Sequence, residues 1–297
     1  MWFLLSLVAL SLLVARRSVE KGLSAKISSL TLAWLQQAFA LPFIAIFMLP
    51  GLYTFYWPGQ LSAHFWAATA LYALCCAVDL YCYFKALSLA DISFVAPLLA
   101  LVGVSAILGS VLLLHQRPTI LGVCGALLVL AGTLIVYADK KKHSANHKNH
   151  MKALWLILFV VALRAFYSNL ELIPLRLSNP GIFNFYSSLL TVPVLLFVAL
   201  LLQNKRQVQG YWQGIGGDIK RYVHLLGFVG LTYAINLTAT YQAKLLTPTA
   251  GYVTAVKSAQ VVPMMLVGAL VYREKVTQQQ WYGVALISVG LLGLAFG

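Results

Sequence analysis

The stretch "GYVTAVKSAQVVPMMLVGALVY" at residues 251–272 contains 22 residues and a single charge, Lys257. A helix of about 20 mostly apolar residues spans the hydrocarbon core of a bilayer. The segment therefore predicts a membrane helix. A lysine deep in such a helix is costly unless it is paired or lies in a watery cavity. Lys257 is for this reason the first candidate for a functional residue.

The composition of the whole chain extends this prediction. Of its 297 residues, 61% are hydrophobic and 9% are charged, with a mean hydropathy of +0.85. A soluble domain has about 25% charged residues. The fold class is therefore an all-α polytopic membrane protein, with ten transmembrane helices. The predicted spans are residues 2–21, 29–49, 64–85, 92–114, 119–137, 153–173, 181–202, 222–242, 249–271 and 279–296.

The net charge of +14 lies mainly between the apolar runs. This distribution is typical of cytoplasmic loops, so it indicates no nucleic-acid partner. The loops after odd-numbered spans hold 16 basic residues, counting Arg16 and Arg17, against 3 after even-numbered spans, counting Lys244. The positive-inside rule then predicts that both termini lie outside the cytoplasm.

The two halves of the chain resemble each other. The segment "WLQQAFALPFIAIF" at 34–47 aligns with "FYSSLLTVPVLLFV" at 185–198, and the same offset aligns Glu20 with Glu171. Five spans in each half place the second half in the opposite direction, which predicts two inverted five-helix repeats. The predicted division is a first repeat at 1–138, a basic linker at 139–152 and a second repeat at 153–297.

Polar side chains inside the predicted spans are the candidate substrate-binding or coupling residues. Arg164, Ser168 and Glu171 follow at i, i+4 and i+7, which is one face of a helix. Sites in inverted repeats lie between the halves, near the middle of the membrane. The sequence predicts no metal site and no cofactor. The residues predicted to surround a cavity are Tyr72, Asp79, Arg164, Glu171, Asn236, Tyr252, Lys257 and Gln260.

Ion pairing is the alternative interpretation of the same charges. Asp79 could pair with Lys257, and Glu171 could neutralise Arg164. Lys257 aligns with Leu99 of the first half, so its charge is present in one half only. This asymmetry favours a contact with an anion or a carboxylate of the substrate over a purely structural role.

Three segments carry a family resemblance. They are "YFKALSLADISFVAPLLALVGVSAILG" at 83–109, "HQRPTILGVCGALLVLAGTLIVY" at 115–137 and "REKVTQQQWYGVALISVG" at 273–290. With the two-repeat pattern, they resemble the EamA family of the drug/metabolite transporter superfamily. The first half departs from the family hinge, with Gln116 where the second half has Glu274. Members of that family usually have cytoplasmic termini, opposite to the charge count.

The resemblance implies a secondary transporter that works by alternating access. We also expect a location in a bacterial inner (plasma) membrane, as a monomer or homodimer. Its substrate would be a small metabolite, either amino-acid-like, an amine or drug-like. Proton coupling is an option through Asp79 or Glu171. The alternatives are a flippase for a lipid or lipid-linked carrier, and a scaffold or receptor without transport. The sequence shows no motif that predicts an enzyme.

Overall fold

A computed structural model describes residues 1–46, 56–90, 92–114, 119–143, 147–201, 208–247, 250–258, 260–271, 273 and 277–296. Within these ranges the secondary structure is entirely helical, apart from turns, and includes one short 3₁₀ helix at Pro58–Gln60. The α-helices are α1 (Trp2–Ser24), α2 (Ser29–Ile46), α3 (Ala63–Leu89), α4 (Ile92–Leu114), α5 (Ile120–His143), α6 (His147–Leu170), α7 (Leu172–Leu177), α8 (Pro180–Leu201), α9 (Val208–Leu246), α10 (Ala250–Ser258), α11 (Val261–Leu270) and α12 (Gln278–Phe296).

Membrane-spanning character is evident in six segments of the described chain, by length and composition. The other predicted spans fall on α4, α5, α10 with α11, and α12, so the count of ten stays a prediction. The hinge residues Gln116 and Glu274 lie outside the described residues. The six segments are Trp2–Ser24, Ser29–Ile46, Ala63–Leu89, Asn149–Leu177, Pro180–Leu200 and Ile215–Leu246.

The predicted ninth span is not one continuous helix. α10 ends at Ser258 and α11 begins at Val261, with Gln260 as its N-cap residue. Pro263 explains the break, because proline lacks the N–H for the bond to residue i−4 and its ring crowds the preceding turn. The sixth span breaks in the same way: Glu171 caps α7, and Pro174 follows three residues later.

Helices of the first half of the chain pack against helices of the second half. α1 packs against α9, and α3 packs against α6. α2 packs against α8, and each of these helices has an internal proline, Pro42 and Pro193, at the positions that the sequence alignment matched. α5 and α12, the last helices of the two halves, also pack against each other.

Glycines allow the close approach of α5 and α12. A Cβ added to Gly283 would lie 2.5 Å from Val136 Cγ2 and 2.8 Å from the carbonyl oxygen of Gly132. A Cβ added to Gly132 would lie 2.5 Å from the carbonyl oxygen of Gly283. Small residues at such positions let membrane helices pack backbone to backbone, where van der Waals contact is the main source of attraction.

The close contact between α5 and α12 predicts that one added methyl group at Gly283 destabilises the protein. Gly283→Ala should lower the melting temperature of the detergent-solubilised protein, because overpacking of a tight contact costs about 1–3 kcal/mol. Gly227→Ala is the matched control, since nothing lies within 4 Å of a Cβ added there. The control should melt at the parental temperature or above it, because alanine is the better helix former. Equal melting of the two variants would contradict the assigned packing.

Candidate functional site

A cavity of about 140 Å³ lies among α1, α3, α4, α6, α9 and α10. Both halves of the chain contribute to its wall. Tyr252, the eighth predicted site residue, is buried in α10 and is not among the described residues that line it. The other seven predicted residues do line it, namely Tyr72, Asp79, Arg164, Glu171, Asn236, Lys257 and Gln260.

Asp79 on α3 pairs with Arg164 on α6. Arg164 donates from Nε to Oδ1 at 2.8 Å and from Nη2 to Oδ2 at 2.7 Å. This two-point geometry matches the guanidinium fork to the carboxylate and is the stronger form of ion pair. The alternative interpretation, in which Asp79 pairs with Lys257, is therefore not what the structure shows. Helix packing explains why Asp79 meets Arg164 and not Lys257, because α3 packs on α6 whereas α10 packs mainly on α4 and α1.

Glu171 pairs with Lys244 and not with Arg164, so the alternative in which Glu171 neutralises Arg164 is not observed either. Lys244 Nζ lies 2.5 Å from Glu171 Oε1 and also donates to the carbonyl oxygen of Ser168 at 3.1 Å. Arg164 is already held by Asp79. The sequence count placed Lys244 in a loop, but α9 continues through it and its side chain is buried.

Arg16, Arg17 and Glu20 are further buried charges that the sequence analysis left out of the site. They were interpreted as the end of the first span and its loop, whereas α1 continues to Ser24. Arg16 Nε lies 2.9 Å from Glu20 Oε1, and the hydroxyl of Tyr83 donates to Glu20 Oε2 at 3.2 Å. The i, i+4 spacing of Arg16 and Glu20 is the signal that could have placed them on one helix face.

Lys257 contacts neutral groups. Its Nζ lies 2.9 Å from Thr240 Oγ1 and 3.4 Å from Asn236 Oδ1. Among the residues described here, no carboxylate oxygen lies within 4.0 Å of it. The amide of Asn236 also donates to the carbonyl oxygen of Ala9 on α1. Within the described chain, the ammonium group is thus held by neutral oxygens, without a counter-charge.

Hydrogen bonds between neutral side chains also join the halves. The hydroxyls of Tyr72 and Tyr241 lie 2.8 Å apart, and the ring of Tyr72 makes edge-to-face contacts with Tyr167 and Phe183. Nearby, Gln37 donates to the hydroxyl of Tyr233 at 2.8 Å. These residues place an aromatic cluster at the cavity wall.

The chemistry available in the cavity is that of binding by charge and hydrogen bonding. Five cationic side chains and two carboxylates line it, together with tyrosine, threonine, serine and amide groups. In the part of the chain that the structure describes, no group of three or more His, Cys, Asp or Glu is arranged to hold a metal ion.

The Asp79–Arg164 pair predicts a strong asymmetry between single and double variants. Arg164→Met should lower the stability by about 3–5 kcal/mol, because it leaves the carboxylate of Asp79 buried without a partner. The double variant Asp79→Leu with Arg164→Met should recover most of that loss. Melting temperatures of the single and double variants measure both effects. A double variant that melts below both single variants would contradict the pairing.

The family model of EamA-like transporters matches residues 1–138 and 151–296. Among solved structures, 28 chains match the protein. One crystal structure of a protein superposes with a TM-score of 0.67 over 99% of this chain and 96% of its own, at 15% identity, a likeness that shows the fold alone. No curated protein matches the sequence. From the family match over nearly the whole chain, the protein belongs to the EamA-like transporter family and is a multi-pass integral membrane protein.

Proposed function

We propose that this protein is a secondary transporter that moves a small solute by alternating access of the central cavity, in a bacterial inner (plasma) membrane. The observation that carries the proposal is the cavity itself, because it is lined by charged side chains from both halves of the chain. Ionisable groups inside a membrane protein are costly and mark substrate or ion pathways. Membership of a transporter family supports the same function.

The packing contacts support ten spans in two inverted repeats. In the repeat, α6 is the counterpart of α1, and α3 is the counterpart of α9. The α1–α9 contact therefore corresponds to the α6–α3 contact, and both contacts are present. The contacts α2–α8 and α5–α12 each pair a helix with its own counterpart. In transporters with inverted repeats, one repeat moves against the other, so that the cavity opens first to one side of the membrane and then to the other.

Two connections between the halves, unlike the Asp79–Arg164 ion pair, are weak enough to suit a moving interface. The bonds Tyr72–Tyr241 and Gln37–Tyr233 are single hydrogen bonds between neutral groups. A bond of this kind contributes about 1 kcal/mol net, so breaking it during the cycle has a small cost. The helix breaks at Glu171 and Gln260 add points where the regular helix is interrupted within the bundle.

The size of the cavity supports a soluble solute over a lipid. A cavity of roughly 150 Å³ accommodates a molecule such as benzene, and the volume here is about 140 Å³. A phospholipid headgroup with its glycerol backbone is larger. A scaffold without transport needs neither a cavity nor a buried cation without a counter-charge, and the described chain has both.

Proton coupling would require movement of a carboxylate. Asp79 and Glu171 are both ion-paired in this conformation. A proton carrier must alternate between the charged and the neutral carboxyl group, and the neutral form no longer holds its cation. Coupling through either residue would therefore break its ion pair in each cycle.

A binding screen followed by exchange measurements tests the transport function. Amino acids, amines, nucleosides and small organic acids are added to the purified protein, and a ligand of the folded state raises its melting temperature. We expect a compound that does so to exchange across proteoliposomes in a counterflow assay. Protein-free liposomes are the control. Binding without any counterflow would contradict transport.

Neutral variants test proton coupling with the same compound. We expect Asp79→Asn or Glu171→Gln to abolish uptake driven by a pH gradient if that carboxylate carries the proton. Asp218→Asn is the matched control, since Asp218 does not line the cavity. Full gradient-driven uptake by both cavity variants would rule out coupling through these two residues.

A further inference from the structure

Among the described residues, the buried charges around the cavity do not balance. The cations are Arg16, Arg17, Arg164, Lys244 and Lys257, and the carboxylates are Glu20, Asp79 and Glu171. Each carboxylate is within 2.9 Å of one cation, in the pairs Arg16–Glu20, Arg164–Asp79 and Lys244–Glu171. Two cations, Arg17 and Lys257, therefore line the cavity without a carboxylate within 4.0 Å among the described residues.

Arg17 is buried, with 4% of its surface exposed. Its Nε and Nη1 atoms have no hydrogen-bond partner within the described chain. Its guanidinium carbon lies 5.2 Å from the ring centre of Tyr83, and Arg164 lies 5.7 Å from the same ring. A ring face attracts a cation but supplies no net charge. Since an arginine remains protonated in proteins, Arg17 keeps a positive charge with which no carboxylate of the described residues forms an ion pair.

Lys257 completes the pair from the other half of the chain. An ammonium group has three donors. Two of them are accounted for by Thr240 Oγ1 and Asn236 Oδ1, both neutral oxygens. Arg17 lies on α1 and Lys257 on α10, so a ligand that contacts both would join the first half of the chain to the second.

We propose that Arg17 and Lys257 form the binding site for a small organic anion, a carboxylate or a phosphate ester, which is the transported substrate. The proposal rests on the transport function and names its substrate class. A bound anion supplies the negative charge that the described side chains lack, and charge-assisted hydrogen bonds are the strongest that a protein makes. An amine would add to the positive charge of the cavity.

Neutral polar groups define the rest of the ligand. The hydroxyl of Ser168 and Oε1 of Gln260 line the cavity and have no hydrogen-bond partner within the described chain. They suit a hydroxyl or amino substituent on the anion. The volume of about 140 Å³ limits the substrate to roughly the size of a single six-membered ring.

Matched four-carbon probes test the assignment. The full chain in detergent is titrated with succinate, succinamide and putrescine, which have similar lengths and carry two negative, no and two positive charges. sn-Glycerol 3-phosphate is added as the phosphate ester. We expect succinate or the phosphate ester to raise the melting temperature. Stabilisation by succinamide or putrescine alone overturns the anion assignment.

Variants of the two cations identify the site. Arg17→Gln and Lys257→Met should weaken binding of the active probe by about 10- to 100-fold, since each removes a charged donor. Without ligand they should melt at or above the parental temperature, because an uncompensated buried charge is removed. Lys257→Arg should retain part of the affinity, and Lys220→Met, an exposed lysine outside the cavity, should bind as the parent does. Unchanged binding by both cavity variants overturns the proposal.

Two further measurements are needed. One distinguishes a soluble anion from a lipid headgroup, and the other tests the anion site and the transport function separately. The titration is repeated in nanodiscs of phosphatidylcholine with and without phosphatidylglycerol. Stabilisation by phosphatidylglycerol that Lys257→Met removes, with no response to soluble anions, would overturn a soluble substrate in favour of a lipid headgroup. Counterflow of succinamide or putrescine would overturn the anion site and leave transport standing. Anion binding without counterflow would support the site and contradict transport.

Discussion

The ion pair between Asp79 and Arg164 constrains the rest of the cavity. It joins α3 of the first half to α6 of the second through two hydrogen bonds of 2.7 and 2.8 Å. Removing either partner would leave a charge buried in a medium of low dielectric, at a cost of several kcal/mol. With Asp79 and Arg164 paired, Glu171 pairs with Lys244, and the partners of Lys257 among the described residues are neutral.

Two helix breaks place polar side chains at the cavity. Glu171 and Gln260 each occupy the N-cap position after a break, and a proline follows each of them by three residues. Transporters commonly use interrupted helices at their binding sites, because irregular backbone is tolerated in a membrane where it lines a cavity. The same prolines that end the regular helix thus bring an acid and an amide to the cavity wall.

Much of the fold follows from the sequence, because helix length and apolar composition are local properties. The alignment of Glu20 with Glu171 and the proline match between α2 and α8 also depend only on residue order. The ion pairs could not be predicted in this way. They depend on which helices are neighbours in space, and the sequence left a partner of Asp79 on α6 out of consideration although α3 packs on α6.

The basic residues near helix ends were misassigned for a related reason. The apolar pattern ends at Arg16, Arg17 and Lys244, and loops next to membrane helices are also rich in basic residues. In the structure the helices continue past that point and the three side chains are buried. The charge count used for orientation therefore included residues of the cavity, although the remaining loop charges still favour the same side.

Access to Ser168 from the two sides of the membrane tests the central claim most directly. Ser168 lines the cavity and is buried, and cysteine has a similar size. The variant Ser168→Cys is made in a background without Cys75, Cys76, Cys82 and Cys124, and is exposed to a membrane-impermeant thiosulfonate reagent in right-side-out and in inside-out vesicles. Alternating access predicts labelling from both sides, slowed by a bound substrate. Labelling from one side only would contradict it.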